Sequence, residues 1–278
     1  MRILIFGNGY IGNKFKKRLP DAFLWPTDIT QLGAVNHAID VIKPEIVLNC
    51  AGKTGRPNVD WCEDHKEETM ASNVLGPLVI ARACLARGIL MVHIGSGCIY
   101  TGDNDGNGFT EDDTPNFFGS FYSRTKIISE QILKEFPILQ LRLRMPFDSE
   151  PSPRNFITKI VNYKNIISVP NSISVINDFI TASLELINRK RTGIYNMTNP
   201  GAMTNAEILN IYREHVDPSH SYKLINLNEL SNVVKTGRSN CILNTNKLAA
   251  EGIIMPPIEQ AVRNALKEYA LCVRTPIA

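Results

Sequence analysis

The sequence predicts a doubly wound α/β fold, with a parallel sheet covered by helices on both faces and a smaller, discontinuous second lobe. Three observations carry this. The first half of the chain alternates short apolar strands with amphipathic helices. A glycine-rich turn joins the first strand to the first helix. After Met145 the rhythm breaks at Pro146, Pro151 and Pro153.

The strands are expected at Ile3–Phe6, Phe23–Trp25, Ile46–Asn49, Ile89–Ile94 and Leu139–Met145. Each is short and apolar, as in a parallel sheet buried on both faces. Helices are expected at Gln31–Lys43, Thr69–Arg87 and Ser120–Glu135; in the first, Val35, Ala38, Ile39 and Ile42 share one face. Beyond the proline-rich loop, Asn177–Asn188 regains helical periodicity and Gly193–Met197 reads as one more strand. Thr204 followed by Glu207 is a capping box opening a further helix. The expected partition gives residues 1–147 and 171–198 to the sheet domain. Residues 148–170 and 199–278 form the second lobe.

A chain of 278 residues with 44% hydrophobic side chains builds a substantial core without disulfide or metal staples. The net charge of +3, with acids and bases interspersed, excludes a polybasic nucleic-acid tract. The six cysteines show no Cys-x-x-Cys spacing, so no metal site is expected and a reducing, cytoplasmic setting is. No signal peptide and no membrane span are expected.

Gly7-Asn8-Gly9-Tyr10-Ile11-Gly12 follows the first strand directly and opens a helix. This context reads as a dinucleotide-binding turn, with Gly7, Gly9, Tyr10, Ile11 and Gly12 near the pyrophosphate. The second strand ends without an acid until Asp28. The run Asp28-Ile29-Thr30 resembles the extended-dehydrogenase motif that contacts the adenine, which implies that role for Asp28 and Ile29; NADPH is favoured while NADH stays open. Ala51 and Gly52, after the third strand, line the same cleft. Asn73, Tyr122, Lys126 and Met145 complete the candidate cofactor contacts.

Tyr122 and Lys126 stand one helical turn apart, so they share a face. The lysine ammonium is expected to lower the phenol towards working pH, making Tyr122 a proton donor to a carbonyl. Ser96, at the carboxyl end of the strand before that helix, completes a serine–tyrosine–lysine set.

Several long runs make the chain resemble a known family: Gly55-Arg56-Pro57-Asn58-Val59-Asp60-Trp61-Cys62-Glu63, Gly97-Cys98-Ile99-Tyr100, Gly119-Ser120-Phe121-Tyr122-Ser123-Arg124-Thr125-Lys126, Arg144-Met145-Pro146, Pro153-Arg154-Asn155-Phe156-Ile157-Thr158-Lys159 and Arg238-Ser239-Asn240. It resembles the bifunctional nucleotide-rhamnose synthases, UDP-4-keto-6-deoxy-D-glucose 3,5-epimerase/4-reductases of the extended short-chain dehydrogenase type. It is more distantly similar to dTDP-4-dehydrorhamnose reductase and GDP-fucose synthase. The glycine turn is one residue shorter than the plant form, and the segment Thr101–Asn107 is also shorter.

The resemblance implies a Rossmann sheet and two activities, with UDP favoured over dTDP on the sugar substrate. It implies that Cys98 and Lys159 are the acid/base pair of epimerisation, and that Ser96, Tyr122 and Lys126 serve the reduction. Arg56, Trp61, Asn155 and Arg238 are the candidates for holding the sugar nucleotide. A homodimer is left open. Two other readings stand beside this one: a reductase only, and a non-catalytic NADP-binding regulatory subunit like the methionine adenosyltransferase β subunit.

Overall fold

The computed structural model describes residues 1–230 and 234–274. In chain order the elements are β1 (Ile3–Phe6), α1 (Tyr10–Arg18), β2 (Phe23–Trp25), α2 (Leu32–Ile42) and β3 (Ile46–Asn49). Then come α3 (Trp61–Asp64), α4 (Lys66–Met70), a π turn at Ala71–Leu75, α5 (Gly76–Leu85), β4 (Leu90–Ser96), α6 (Phe121–Leu133) and β5 (Leu139–Leu143). They are followed by α7 (Phe156–Ile160), β6 (Asn165–Ile167), α8 (Ile176–Asn188) and β7 (Gly193–Asn196). The chain closes with α9 (Asn205–His215), β8 (Lys223–Ile225), α10 (Leu227–Leu230), α11 (Asn246–Ala250) and α12 (Ile258–Arg274).

Two compact units divide the chain: Met1–Ile99, Thr114–Arg142 and Ser183–Tyr195 in the first, and Tyr100–Asp113, Leu143–Ala182 and Asn196–Ala278 in the second. This differs from the expected partition at residues 100–113, 143–147, 171–182 and 196–198, all of which fall in the second unit. Residues 100–113 go with the second unit because Gly102 bridges Cys241 and Phe109 bridges Leu243. Residues 171–182 do likewise, through the Asn171–Met203 and Phe147–Val175 bridges.

In the first unit, the sheet runs in the order β2-β1-β3-β4-β5-β7. β1 pairs in parallel with β2 on one side and β3 on the other, and β3 pairs in parallel with β4. The strand order therefore reverses at β1. A doubly wound sheet takes its ligand in the crevice at that reversal, beyond the carboxyl ends of the strands. β1 and β3 are buried along their length. Leu4, Phe6, Val35, Ile39, Val47 and Ile80 interlock in one core cluster. Burying each such large side chain contributes about 1.5–3 kcal/mol.

The helix expected over 69–87 is interrupted: α4 gives way to the π turn before α5 resumes. A π turn inserts a residue into the helical ladder and often marks a functional position; here it carries the buried Asn73. The fifth strand stops at Leu143. Met145, at φ 42°, has left strand geometry.

The second unit has its own core around Phe147, Ile157, Ile208, Val262 and Leu266. Its two short strands, β6 and β8, pair in parallel. The capping box is present: Glu207 N–H donates to Thr204 Oγ1 at 3.2 Å, and Thr204 N–H donates to Glu207 Oε2 at 2.7 Å. No helix among the described residues is long and apolar enough to cross a membrane.

Candidate active site

The glycine turn between β1 and α1 is shaped by two close approaches. Gly7 has φ +104°, and a Cβ there would lie 2.4 Å from Ala51 N. A Cβ on Gly12 would lie 2.0 Å from the Gly7 carbonyl oxygen. Gly9 differs. Nothing lies within 4 Å of its Cβ position, and its φ of −103° suits any residue. The fold makes no demand for glycine at that point, whereas a ligand lying against the backbone does. Gly9 caps α1 without a side-chain hydrogen bond, and the first turn, with Tyr10 and Ile11, carries no acid. A helix start of this form suits a pyrophosphate.

After β2, Asp28 is exposed. The Thr30 N–H and hydroxyl, 2.9 and 2.7 Å from Asp28 Oδ1, hold this carboxyl below its usual range. Ile29 turns into the core, where Gly76 makes room for it: a Cβ on Gly76 would sit 2.3 Å from Ile29 Cδ1.

Ser96 closes β4 and is buried. The Cys98 N–H donates to its hydroxyl at 3.1 Å. Tyr122, half-buried in the first turn of α6, hydrogen-bonds the Ser96 side chain. The start of α6 is fixed from three directions. Ser120 Oγ accepts the Ser123 N–H at 3.1 Å, Ser123 Oγ donates to Cys98 O at 2.6 Å, and Phe121 N–H donates to Glu63 Oε1 at 2.7 Å. Ser96, Cys98 and Tyr122 thereby form one cluster.

The charge logic differs from the expectation. Burial raises the Tyr122 phenol, Cys98 adds to this, and the Ser96 hydrogen bond pulls the other way. The Lys126 Nζ donates to Ile94 O at 2.9 Å and lies 3.4 Å from His93 Nε2. Burial brings Lys126 down to about 8, against the opposing influence of Glu130 and Cys98.

Behind the cluster, the Asn73 amide is engaged within the fold. Oδ1 accepts the Lys53 N–H at 2.8 Å, and Nδ2 donates to Lys53 O at 2.9 Å and to Thr125 Oγ1 at 3.2 Å. Asn73 thus clamps the turn after β3 to α6. Gly52 lies against it, since a Cβ there would be 3.3 Å from Asn73 Oδ1. Ala51 N–H donates to Asn49 Oδ1 at 3.0 Å.

Of the other predicted residues, Arg56 is exposed and Trp61 is half-buried in the first unit. The Trp61 ring already stacks on His65, with centroids 3.8 Å apart and planes 7° from parallel. Met145, Asn155, Lys159 and Arg238 belong to the second unit. Asn155 is fully buried. Its side chain accepts the N–H groups of Asp148 and Ile157 and donates to Asp148 O and Glu150 O, so it organises the start of α7. Lys159, on α7, is half-buried, and burial and then Arg154 lower it. Arg238 Nη1 donates to Thr236 O at 2.7 Å. Two site residues escaped the sequence reading, Glu63 and His93. The only signal for His93 was a lone polar residue in the apolar run Leu90–Ile94.

Fold and site define a Rossmann-like α/β protein with Ser96, at the carboxyl end of β4, hydrogen-bonded to Tyr122 of α6. The chain belongs to the family described as the RmlD substrate binding domain, which matches residues 1–271. A bifunctional dTDP-4-dehydrorhamnose 3,5-epimerase/dTDP-4-dehydrorhamnose reductase of Arabidopsis thaliana is 46% identical over 220 residues, covering 77% of this chain and 73% of the relative. A trifunctional Arabidopsis UDP-glucose 4,6-dehydratase/UDP-4-keto-6-deoxy-D-glucose 3,5-epimerase/UDP-4-keto-L-rhamnose-reductase is 43% identical over 239 residues. That match covers 84% of this chain and 35% of the relative, so this chain spans about a third of the longer protein. The crystal structure of the L780 UDP-rhamnose synthase from Acanthamoeba polyphaga mimivirus superposes with a TM-score of 0.93 at 34% identity, over 96% of this chain and 99% of that one. A dTDP-4-dehydrorhamnose reductase from Bacillus anthracis in complex with NADP shares the fold, with a TM-score of 0.82 at 20% identity over 96% of this chain and 99% of that one.

Proposed function

We propose that this chain is a bifunctional 3,5-epimerase/4-reductase that converts UDP-4-keto-6-deoxy-D-glucose to UDP-L-rhamnose, with NADPH preferred over NADH. The observation that carries the reading is Cys98 beside Ser96 and Tyr122 in one cluster. A carbonyl bound there meets a proton donor and a thiol together. The kinship with two-activity and UDP-sugar relatives supports the same reading.

The nicotinamide cofactor supplies the hydride when bound. Gly7, Gly9, Gly12, Asp28, Ala51 and Gly52 are the residues assigned to hold it, and the open space over Gly9 fits that role. Protons on C3 and C5 are acidic because their removal leaves an enolate conjugated with the C4 carbonyl. Hydrogen bonds from Ser96 and Tyr122 to that oxygen stabilise the charge. Each epimerisation removes a proton from one face and returns one to the other, with no redox change; Cys98 and Lys159 are the pair assigned to it. Burial of Lys159 favours its uncharged form and suits it to that exchange. In the reduction, Tyr122 gives its proton to the oxygen as C4 becomes tetrahedral. Burial keeps the phenol protonated until then.

Arg56 and Arg238 are assigned to the pyrophosphate or the sugar and Trp61 to an edge contact, with Asn155 acting through the helix that carries Lys159. A reducing, cytoplasmic setting is part of the same proposal, on the six cysteines without Cys-x-x-Cys spacing. Exposed Ile128 and Ile132, one turn apart on α6, support a homodimer, which light scattering of the variant with both changed to Lys checks.

The test is NMR in D₂O. Without NADPH, the enzyme is expected to place deuterium at C3 and C5 of UDP-4-keto-6-deoxy-D-glucose. With NADPH it is expected to release UDP-L-rhamnose. Reduction of a pre-epimerised 4-keto sugar without any exchange would leave a reductase only.

A further inference from the structure

Behind Lys126 lies a buried polar chain that the reaction outlined above does not use. Asn49 on β3 and His93 on β4 are cross-strand partners, and both are buried. Asn49 Nδ2 lies 3.1 Å from His93 Nδ1, and His93 Nε2 lies 3.4 Å from Lys126 Nζ.

The direction of this chain follows from its far end. Ala51 N–H donates to the Asn49 side chain, and a backbone N–H only donates. The amide oxygen therefore faces Ala51, and the amide NH₂ faces His93. Nδ1 must accept, so a neutral ring carries its proton on Nε2, towards Lys126. Burial, reinforced by the charge of Lys126, pushes His93 well below its ordinary range, and the ring is neutral.

An ammonium offers only donors, so an N–H aimed at it is repulsive; an amine has a lone pair to accept that N–H. Ile94 O takes one lysine N–H in either state. Other groups act on Lys126 too. Glu130, one turn along α6, and Cys98, just after β4, favour the ammonium. Arg142 on β5 holds Glu130 through two bonds of 2.9 and 2.8 Å and so offsets much of its charge. Tyr122, one turn earlier on α6, remains a neutral phenol.

We propose that His93 is a positioning residue for the reduction: aimed by Asn49, its Nε2–H faces Lys126 and readies that lysine to release a proton to Tyr122. The step balances. Tyr122 loses its proton to the new hydroxyl, Lys126 ammonium reprotonates the phenolate, and the amine regains a proton from water. The kinetic part rests on the reductase reading, whereas the tautomer does not.

The experiment is ¹⁵N NMR of histidine-labelled protein with its resonances assigned by His93→Leu, joined to the pH profile of 4-keto reduction. The wild type is expected to show a neutral Nε2–H ring at pH 7. Asn49→Asp accepts at both oxygens and is expected to turn the ring to Nδ1–H. In both variants the alkaline limb of kcat is expected to move up by about one pH unit, as Lys126 holds its proton longer. An Nδ1–H ring or an imidazolium in the wild type overturns the proposal, whether or not the variants fold. An alkaline limb that stays in place in both folded variants overturns it as well. A protein that reduces no 4-keto sugar refutes the reductase reading instead, with the tautomer still measurable.

Discussion

Lys126 and Lys159 are both lowered by burial, yet the two units hold them differently. Lys126 is 6% exposed, bonded to a strand carbonyl and backed by His93. Lys159 is half-buried on the five-residue helix α7, whose start Asn155 organises, and the nearby charge of Arg154 adds to the lowering. A lysine locked in a buried network fits the proton relay proposed for it above. A lysine with access to water fits proton exchange, where the proton removed and the proton returned need not be the same. The difference assigns one chemistry to each lysine, and it is open to attack from either side.

The largest expected effect is on the locked side. Tyr122→Phe removes the proton donor while leaving the glycine turn intact. NADPH oxidation with a 4-keto sugar is expected to fall by about 10²–10⁴, the usual range for loss of a general acid. A variant oxidising NADPH at nearly the wild-type rate ends the assignment of Tyr122 and the comparison with it.

The next effect tests whether the network around Lys126 is as rigid as its bonds imply. Glu130 and Arg142 form a buried pair, 5% and 1% exposed. Glu130→Ala leaves the guanidinium buried without its partner, which is expected to cost about 3–5 kcal/mol in urea unfolding. A loss below about 1 kcal/mol would mean that water reaches Arg142 and that the frame is loose.

A smaller effect tests the other side. Lys159→Met and Cys98→Ser are each expected to slow deuterium incorporation at C3 or C5 by about 10². Reduction of a pre-epimerised 4-keto sugar is expected to stay within about tenfold, because that step needs no base at carbon. Exchange at both carbons at the wild-type rate in Lys159→Met would leave Lys126 as the one lysine with a chemical role.

What the sequence made legible was local. The strands β1 and β3, the glycine turn and the one-turn spacing of Tyr122 and Lys126 each depend on residues close in the chain. Ser96 was legible because a strand's carboxyl end faces the crevice. What escaped depends on pairing at a distance. Asn49 meets His93 only through the β3–β4 register, 44 residues apart, and Glu63 reaches Phe121 across 58. The π turn at Ala71–Leu75 was hidden because helical periodicity continues on both sides of one inserted residue. The partners of Lys126 were hidden for the same reason: spacing puts it on the Tyr122 face but does not show that Ile94 O and His93 hold its Nζ.

The smallest expected effect concerns two glycines of one turn, and it sharpens what a ligand requires against what the fold requires. Gly7→Val meets Ala51 N and a φ of +104°, so it is expected to lower the melting temperature before any question of binding arises. Gly9→Val meets nothing within 4 Å and an extended backbone that valine adopts readily. Its melting temperature is expected to match the wild type. Its two methyl groups, however, occupy the space where a pyrophosphate would lie on the start of α1. NADPH affinity, read by fluorescence titration, is expected to weaken on the order of tenfold or more, about 1.4 kcal/mol. Unchanged affinity in the folded variant would move the cofactor off this turn, and with it the reason for placing hydride transfer beside Tyr122.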